Sequence, residues 1–356
     1  MLEFLNERRL NMVTRTLDLR RSCLRAFAMI ISDRPISEIG RRDLGYFKSV
    51  LQRLPARWES SYPGLPIAEI LARRDDGPRL QPATINNYLG TVHTFFEWAH
   101  AHGYSPYNPA RKLKIRLKRT PRDQRQKFSA FDLKLIFEES LYFARSSHPT
   151  AIAARKIDPQ IYHYIWVPLI ALFSGLRASE IVGLERQDIR REAGVWLLAV
   201  RTNRFRQVKS ASAQRSVPIH PLLLEIGFID AIACQRFAEH DWIWPGIQRR
   251  SGRVSGAFVN AWSYYKRKLD IGDPRKTFHS FRHNFIHALS DVESRFEIIA
   301  ELAGHSVHSQ FYGRYRKNTD IRDLYRVIKK VRFPVRLDHL IAQPSPARRR
   351  NAHNTF

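Results

Sequence analysis

A chain of 356 residues is long for one ordinary compact domain and suits two. Its 44% hydrophobic content supports real cores and excludes wholesale disorder. Sixty Lys plus Arg against 33 Asp plus Glu leave a net charge of +27 and a pI near 10.7, which calls for a polyanionic partner, nucleic acid first and an anionic membrane surface second. No apolar run approaches the roughly 18 residues of a spanning helix, and the N-terminus does not read as a signal peptide. Cys23 and Cys234 lack metal-ligand spacing and read as buried thiols of a reducing compartment. The expectation is a soluble, cytoplasmic protein that faces nucleic acid and no membrane.

From Leu2 to about Asn108 the pattern is helical, broken by short turns. Leu17, Leu24, Phe27 and Ile31 recur at helical spacing. Pro35 interrupts, and a second helix is predicted over Arg41 to Leu54. Pro55, Pro63, Gly64 and Pro66 mark an irregular connection. The clearest helix runs from Thr84, read as N-cap, to His102, with Gly103 as its stop. Ile85, Tyr88, Leu89, Val92, Phe95, Phe96 and Ala99 make it a packing helix of a small bundle.

A basic stretch follows, Arg111 to Lys127. Lys112, Lys114, Arg116 and Lys118 alternate with Leu113, Ile115 and Leu117, a period of two that predicts an extended segment. With Arg119 these residues read as a strap along a phosphate backbone, against the plainer reading of a solvated linker.

Helical pattern resumes over Ala130 to Phe143 and Gln160 to Phe173, then reaches S-G-L-R-A-S-E. There Gly175 permits a tight turn, Arg177 opens a short helix, and Glu180 lies one turn on. In isolation such a pair is a surface ion pair. Val195 to Val200 reads as a buried strand and Arg215 to Ile219 as its returning neighbour, with Lys209 in the basic connection. After Pro221 helices return, and F-H-S-F-R-H-N-F leads through an apolar helix to L-A-G-H-S and F-Y-G-R-Y. His279 and Arg282 share a helix face by their i,i+3 spacing. From Gln343 the composition predicts a disordered tail.

Arg177, Lys209, His279, Arg282, His305 and Tyr315 form an ordered set with one chemistry in common. Two guanidinium groups can hold the non-bridging oxygens of a phosphodiester and stabilise charge building there, with no need for magnesium. A tyrosine hydroxyl can attack phosphorus, a lysine can protonate the departing oxygen, and histidines can orient the phosphate or move a proton. His283 and His287 stand at helical spacing beside His279, but zinc needs further ligands that the sequence does not supply. Packing or DNA contact is the reading for both.

These motifs make nearly the whole chain resemble the tyrosine recombinase (phage integrase) family. S-G-L-R-A-S-E is similar to the motif carrying that family's first catalytic arginine, here Arg177, with Glu180 at the position of a supporting acid. Lys209, before R-S-V-P-I, is the best match for the family's lysine. The His-x-x-Arg box matches His279 and Arg282, and A-G-H supplies His305. Tyr315 is ten residues past His305 and in register with the following I-R-D-L-Y-R-V-I-K-K-V-R-F-P, whereas Tyr312 is seven past. Tyr315 is the expected nucleophile and Tyr312 the alternative, and Arg316 replaces the glycine usual after this tyrosine.

The resemblance implies a mainly α fold. A helical, SAM-like core-binding domain over 1–110 and a basic linker over 111–127 would precede a mostly helical catalytic domain over 128–342, which carries a small antiparallel sheet. Residues 343–356 would form the tail. The implied activity is site-specific recombination through a 3′-phosphotyrosine intermediate, as in the integrase of a prophage or other mobile element, without ATP, cofactor or metal. The implied partners are double-stranded DNA, further copies of the chain in a tetramer on DNA, and a host DNA-bending protein or excision factor. With no arm-binding domain evident ahead of Leu2, the architecture would be simpler than that of lambda-type integrases. Two other readings stay open: a type IB topoisomerase-like or telomere-resolving enzyme, and a catalytically inactive DNA-binding relative.

Overall fold

A computed structural model describes residues 1–10, 12, 14–32, 34–74, 76–117, 125–138, 162–206, 214–233, 241–247, 255–305 and 319–341. The chain divides into two units, 1–120 and 121–356.

The first unit is helical: α1 Leu2–Arg9, α2 Thr14–Ile31, α3 Arg41–Arg53, α4 Trp58–Ser61, α5 Ile67–Ala72 and α6 Pro82–Ala101. Its core forms where the apolar stripes of α2, α3 and α6 meet, and Phe27 sits edge-on to both Phe47 and Phe96. Helix α6 begins two residues before the expected Thr84 cap, because Pro82 takes the first helical turn with its φ preset and no N–H to lose. Its end is as expected, with Gly103 at φ +77 just past the C-cap His102.

Residues 111–117 lie against this unit. Leu113 is buried and Ile115 half-buried, while Lys112, Lys114 and Arg116 are exposed, so burial follows the period of two as far as Ile115; Leu117, expected on the inward side, is exposed. The Asn86 amide holds the segment in place, donating to the Ile115 carbonyl at 2.9 Å and accepting from its N–H at 2.7 Å.

In the second unit α7 (Ala130–Phe137) and α8 (Tyr162–Ser174) precede α9 (Ala178–Val182) and a sheet of β1 (Ile189–Glu192), β2 (Val195–Val200) and β3 (Arg215–Pro218). The order is β1-β2-β3, antiparallel throughout, with Ile189 opposite Leu198 and Leu198 opposite Val217. Then come α10 (Pro221–Glu225), α11 (Phe228–Ala233), α12 (Ser255–Lys268), α13 (Ser280–Val292), α14 (Phe296–Ala303) and α15 (Ile321–Ile328). Strand β1 has no counterpart in the sequence pattern. It is an edge strand, I-R-R-E, with its last three residues exposed, so it carries no buried stripe to detect. Its trace is the turn, where Ala193 and Gly194 both have positive φ, 49° and 83°, as a two-residue hairpin connection requires.

Helix α8 is the centre of the core. Ile165 to Phe173, Pro168 aside, are 2% exposed or less, and α13 packs along it. Among the described residues no helix is long and apolar enough to cross a membrane.

Candidate active site

The five-residue α9 is too short to hold itself together, and its orphan carbonyls are taken up by side chains from elsewhere. The Trp244 indole donates to Ile181 O at 2.7 Å and Trp242 to Val182 O at 2.8 Å. Arg206 Nη1 donates to Glu180 O at 2.7 Å, and Asn203 Nδ2 to Gly183 O at 2.8 Å. At the other end the Arg177 N–H donates to Glu180 Oε2 at 2.8 Å. The helix is thereby a fixed mount for the two residues singled out in S-G-L-R-A-S-E.

Those two residues are not a surface ion pair. Glu180 is buried, with its side chain 8% exposed, and Arg177 Nη1 reaches Oε1 at 2.7 Å. Arg215, from the start of β3, meets the same carboxylate through Nη2 at 2.9 Å and Nη1 at 3.2 Å. Burial raises the Glu180 carboxyl, but the charge and hydrogen bonds of Arg215, followed by Arg177, outweigh it and hold the pKa at about 2.

The turn after α14 collects the arginines. Leu302 O accepts from Arg215 Nε at 3.1 Å, Ala303 O from Arg282 Nη2, and Gly304 O from Arg177 Nη2 at 3.4 Å. Three successive carbonyls at a helix C-terminus, the negative end of its dipole, thus each receive a different guanidinium. Gly304 makes this approach feasible. Its φ is +64°, and a Cβ there would lie 2.6 Å from Arg215 Nη1. His305 follows directly and is exposed, its N–H returning to Ala300 O at 2.9 Å.

Arg282 comes from the first turn of α13 and is 2% exposed. Its other arm donates to Gly175 O at 2.8 Å. Burial first, then Arg177 and Arg215, lower its pKa to about 9, so it remains cationic at neutral pH. His279 stands at the N-cap of the same helix. Burial first, then His283, Arg125, Arg282 and Arg177, push its pKa down to about 4. His305, though exposed as a whole residue, is lowered by the partial desolvation of its ring and then by Arg282, Arg177, Arg215 and His283. Arg177 and Arg282 act on both His279 and His305, and Arg177 is paired with Glu180, so these five residues, scattered over 129 positions (305 minus 177, both ends counted), gather around the two arginines. Lys209, Tyr312 and Tyr315 lie outside the described residues, as do Lys118 and Arg119.

Residues 146–322, about half of the chain, match the model of the phage integrase family. The chain belongs to that family. It is a tyrosine-type site-specific recombinase. Solved structures with the same fold include a lambda integrase dimer bound to a COC′ core site (15% identity, 85% of this chain and 92% of that one, TM-score 0.53). The Tn1549 transposon integrase in complex with a circular intermediate DNA is similar over 90% of this chain and 94% of that one (17% identity, TM-score 0.53). The XerH recombinase bound to a palindromic difH substrate is similar over 82% and 73% (13% identity, TM-score 0.51). No curated protein matches by sequence.

The recombinase's site contains groups that sequence motifs do not single out. Arg215 presents itself in the sequence only as the start of a strand; the signal is a charged residue opening R-S-V-P-I, whose last three residues are apolar. Arg125 belongs by sequence to the basic stretch, yet it acts on His279 and His283. It is brought there because Asn284 brackets the Phe128 backbone at 2.9 and 2.7 Å and Ser280 Oγ donates to Gln126 O at 2.5 Å. His283 is half-buried, its ring edge-on to His279 at 5.1 Å. His287, by contrast, is exposed and pairs with Asp291 at 3.3 Å.

Proposed function

We propose that this recombinase is the integrase of a prophage or other mobile element, and that it cuts and rejoins double-stranded DNA through a 3′-phosphotyrosine. The observation that supports this most is the charge balance in the site. Among the described residues Arg177, Arg215 and Arg282 converge on one turn and pair there with the carboxylate of Glu180, a surplus of two positive charges in this group of four. A surplus of that size, with Arg215 and Arg282 buried and Arg177 open to solvent, is suited to an anion, and one whose charge grows during reaction gains most from it.

In this reading Arg177 and Arg282 hold the non-bridging oxygens of the scissile phosphate. The hydroxyl oxygen of Tyr315, or alternatively Tyr312, attacks phosphorus and the P–O5′ bond breaks. Its electron pair leaves with the 5′ oxygen, which takes a proton from Lys209. His279, kept neutral by burial and by the surrounding cations, and His305, whose pKa the same arginines lower, hydrogen-bond the phosphate or accept the tyrosine's proton. Attack by the 5′ hydroxyl of a partner strand reverses the step and releases the enzyme. One phosphoester is exchanged for another each time, so no ATP is consumed. Lys112, Lys114, Arg116, Lys118 and Arg119 lie along the duplex backbone, and four copies assemble on two recombination sites.

The test is covalent trapping. A duplex selected from a random pool by binding to the protein is nicked near its centre and incubated with it. A detergent-resistant protein–DNA adduct is expected, lost in Arg177→Ala and Arg282→Ala variants that still bind the duplex. Binding without any adduct would turn the reading toward a DNA-binding relative that does no chemistry.

A further inference from the structure

Glu180 sits between two arginines of different character. Arg215 is 4% exposed and grips the carboxylate with both Nη groups, at 2.9 and 3.2 Å. The Arg177 side chain is 38% exposed, and its guanidinium touches one carboxylate oxygen, at 2.7 Å. We infer that Arg215 is a positioning residue for the cleavage step: it neutralises Glu180 so that Glu180 can aim Arg177 without cancelling its charge. The inference rests on the role proposed above for Arg177.

A buried carboxylate needs a compensating charge, and a cation that shares its shelter from water supplies it more strongly than one that water screens. With Arg215 in place, that need is met by a two-armed pair out of water, and the Arg177 guanidinium keeps its charge for an incoming anion. Without Arg215, Glu180 has Arg177 as its remaining ion-pair partner among the described residues. Arg177 would be drawn into a two-armed pair of its own, and the site's surplus would fall from two to one. Its Nη2, now turned toward Gly304 O at 3.4 Å, would turn to the carboxylate instead.

A second set of contacts points the same way. Arg215 Nε holds Leu302 O at 3.1 Å, beside the carbonyls that receive Arg282 and Arg177 and three residues before His305. Arg215 therefore fixes Arg177 from both sides, through the carboxylate and through the turn. A residue there for stability alone has no need to reach both.

The experiment compares adduct formation on two versions of the selected, nicked duplex, at saturating DNA. One carries the ordinary scissile phosphate. The other carries a methylphosphonate there, in which one charged oxygen is replaced by a methyl group, so that a missing cation matters less. Arg215→Gln is expected to slow the ordinary reaction by about ten- to a hundredfold, below the ~10²–10³ of removing a direct contact. On the methylphosphonate its deficit should shrink in parallel with that of Arg177→Ala. Arg215→Lys, which restores charge without the fork, should recover part of the rate.

Equal deficits of Arg215→Gln on both duplexes, with Arg177→Ala improving on the methylphosphonate, would overturn the inference and leave the Arg177 reading standing. If Arg177→Ala itself did not improve, the Arg177 reading would fail and the inference with it. Should Arg215→Gln lose its cooperative melting transition, Arg215→Lys carries the same comparison, and a deficit equal on both duplexes again overturns the inference.

Discussion

Gly175 lies so close to the ring of Phe285 that a Cβ there would stand 2.3 Å from Cδ1. The two residues join α8, which ends at Ser174, to α13, and the Gly175 carbonyl is one of the two that fix Arg282. Gly175 also has φ +64°. Gly175→Ala therefore adds backbone strain to overpacking, a destabilisation on the order of 2–5 kcal/mol, and shifts Arg282 by displacing its anchor. A lowered melting temperature together with loss of adduct formation is expected. A variant that melts with the wild type would contradict this account of the turn.

Stability should respond to mild acid through buried histidines. His220 Nδ1 accepts from the Leu222 N–H at 3.2 Å and its Nε2 faces Val331 O at 3.1 Å, so the neutral ring carries its proton on Nε2. Burial pushes His220 down to about 4, against the pull of the Val331 carbonyl, and burial does the same to His163. Both folded values lie below the 6.5 of the unfolded chain. The unfolded state therefore takes up protons first as pH falls. Stability is whole above pH 6.5 and drains away toward pH 4, by about 3 kcal/mol per histidine over the full window. Denaturant unfolding at pH 7.5, 6.5, 5.5 and 4.5 measures the slope, which His220→Asn should make shallower. A flat profile between pH 6.5 and 4.5 would be inconsistent with these two histidines being buried and neutral.

The basic segment makes a separate prediction. Lys112, Lys114 and Arg116 face outward while Leu113 and Ile115 pack inward. Changing the three cations to glutamine should lower the salt slope of DNA binding by about 0.9 for each phosphate no longer neutralised and leave the melting temperature alone. An unchanged slope would make the segment a linker only.

Much of the site is legible in the sequence because local motifs carry it. Arg177 with Glu180, and His279 with Arg282, are each spaced three apart on one helix or its cap, a distance over which sequence spacing predicts proximity. Arg215 is not legible in this way. Its partner Glu180 is 35 positions away (215 minus 180), and only the antiparallel return of β3 beside β2 brings the two together. Strand β1 escapes notice because exposed edge residues carry no apolar alternation. The start of α6 differs from expectation because Pro82 substitutes for a capping side chain. The basic stretch keeps its alternation at Leu113 and Ile115 and loses it at Leu117, which is exposed.

The most direct measurement is where the DNA becomes attached. Wild-type protein is trapped on the nicked, selected duplex, digested, and the DNA-linked peptide identified by mass spectrometry. The account predicts a phosphotyrosine at Tyr315, with Tyr315→Phe forming no adduct and Tyr312→Phe still forming one. Attachment at Tyr312 would reassign the nucleophile, and attachment at neither tyrosine would contradict the proposed mechanism.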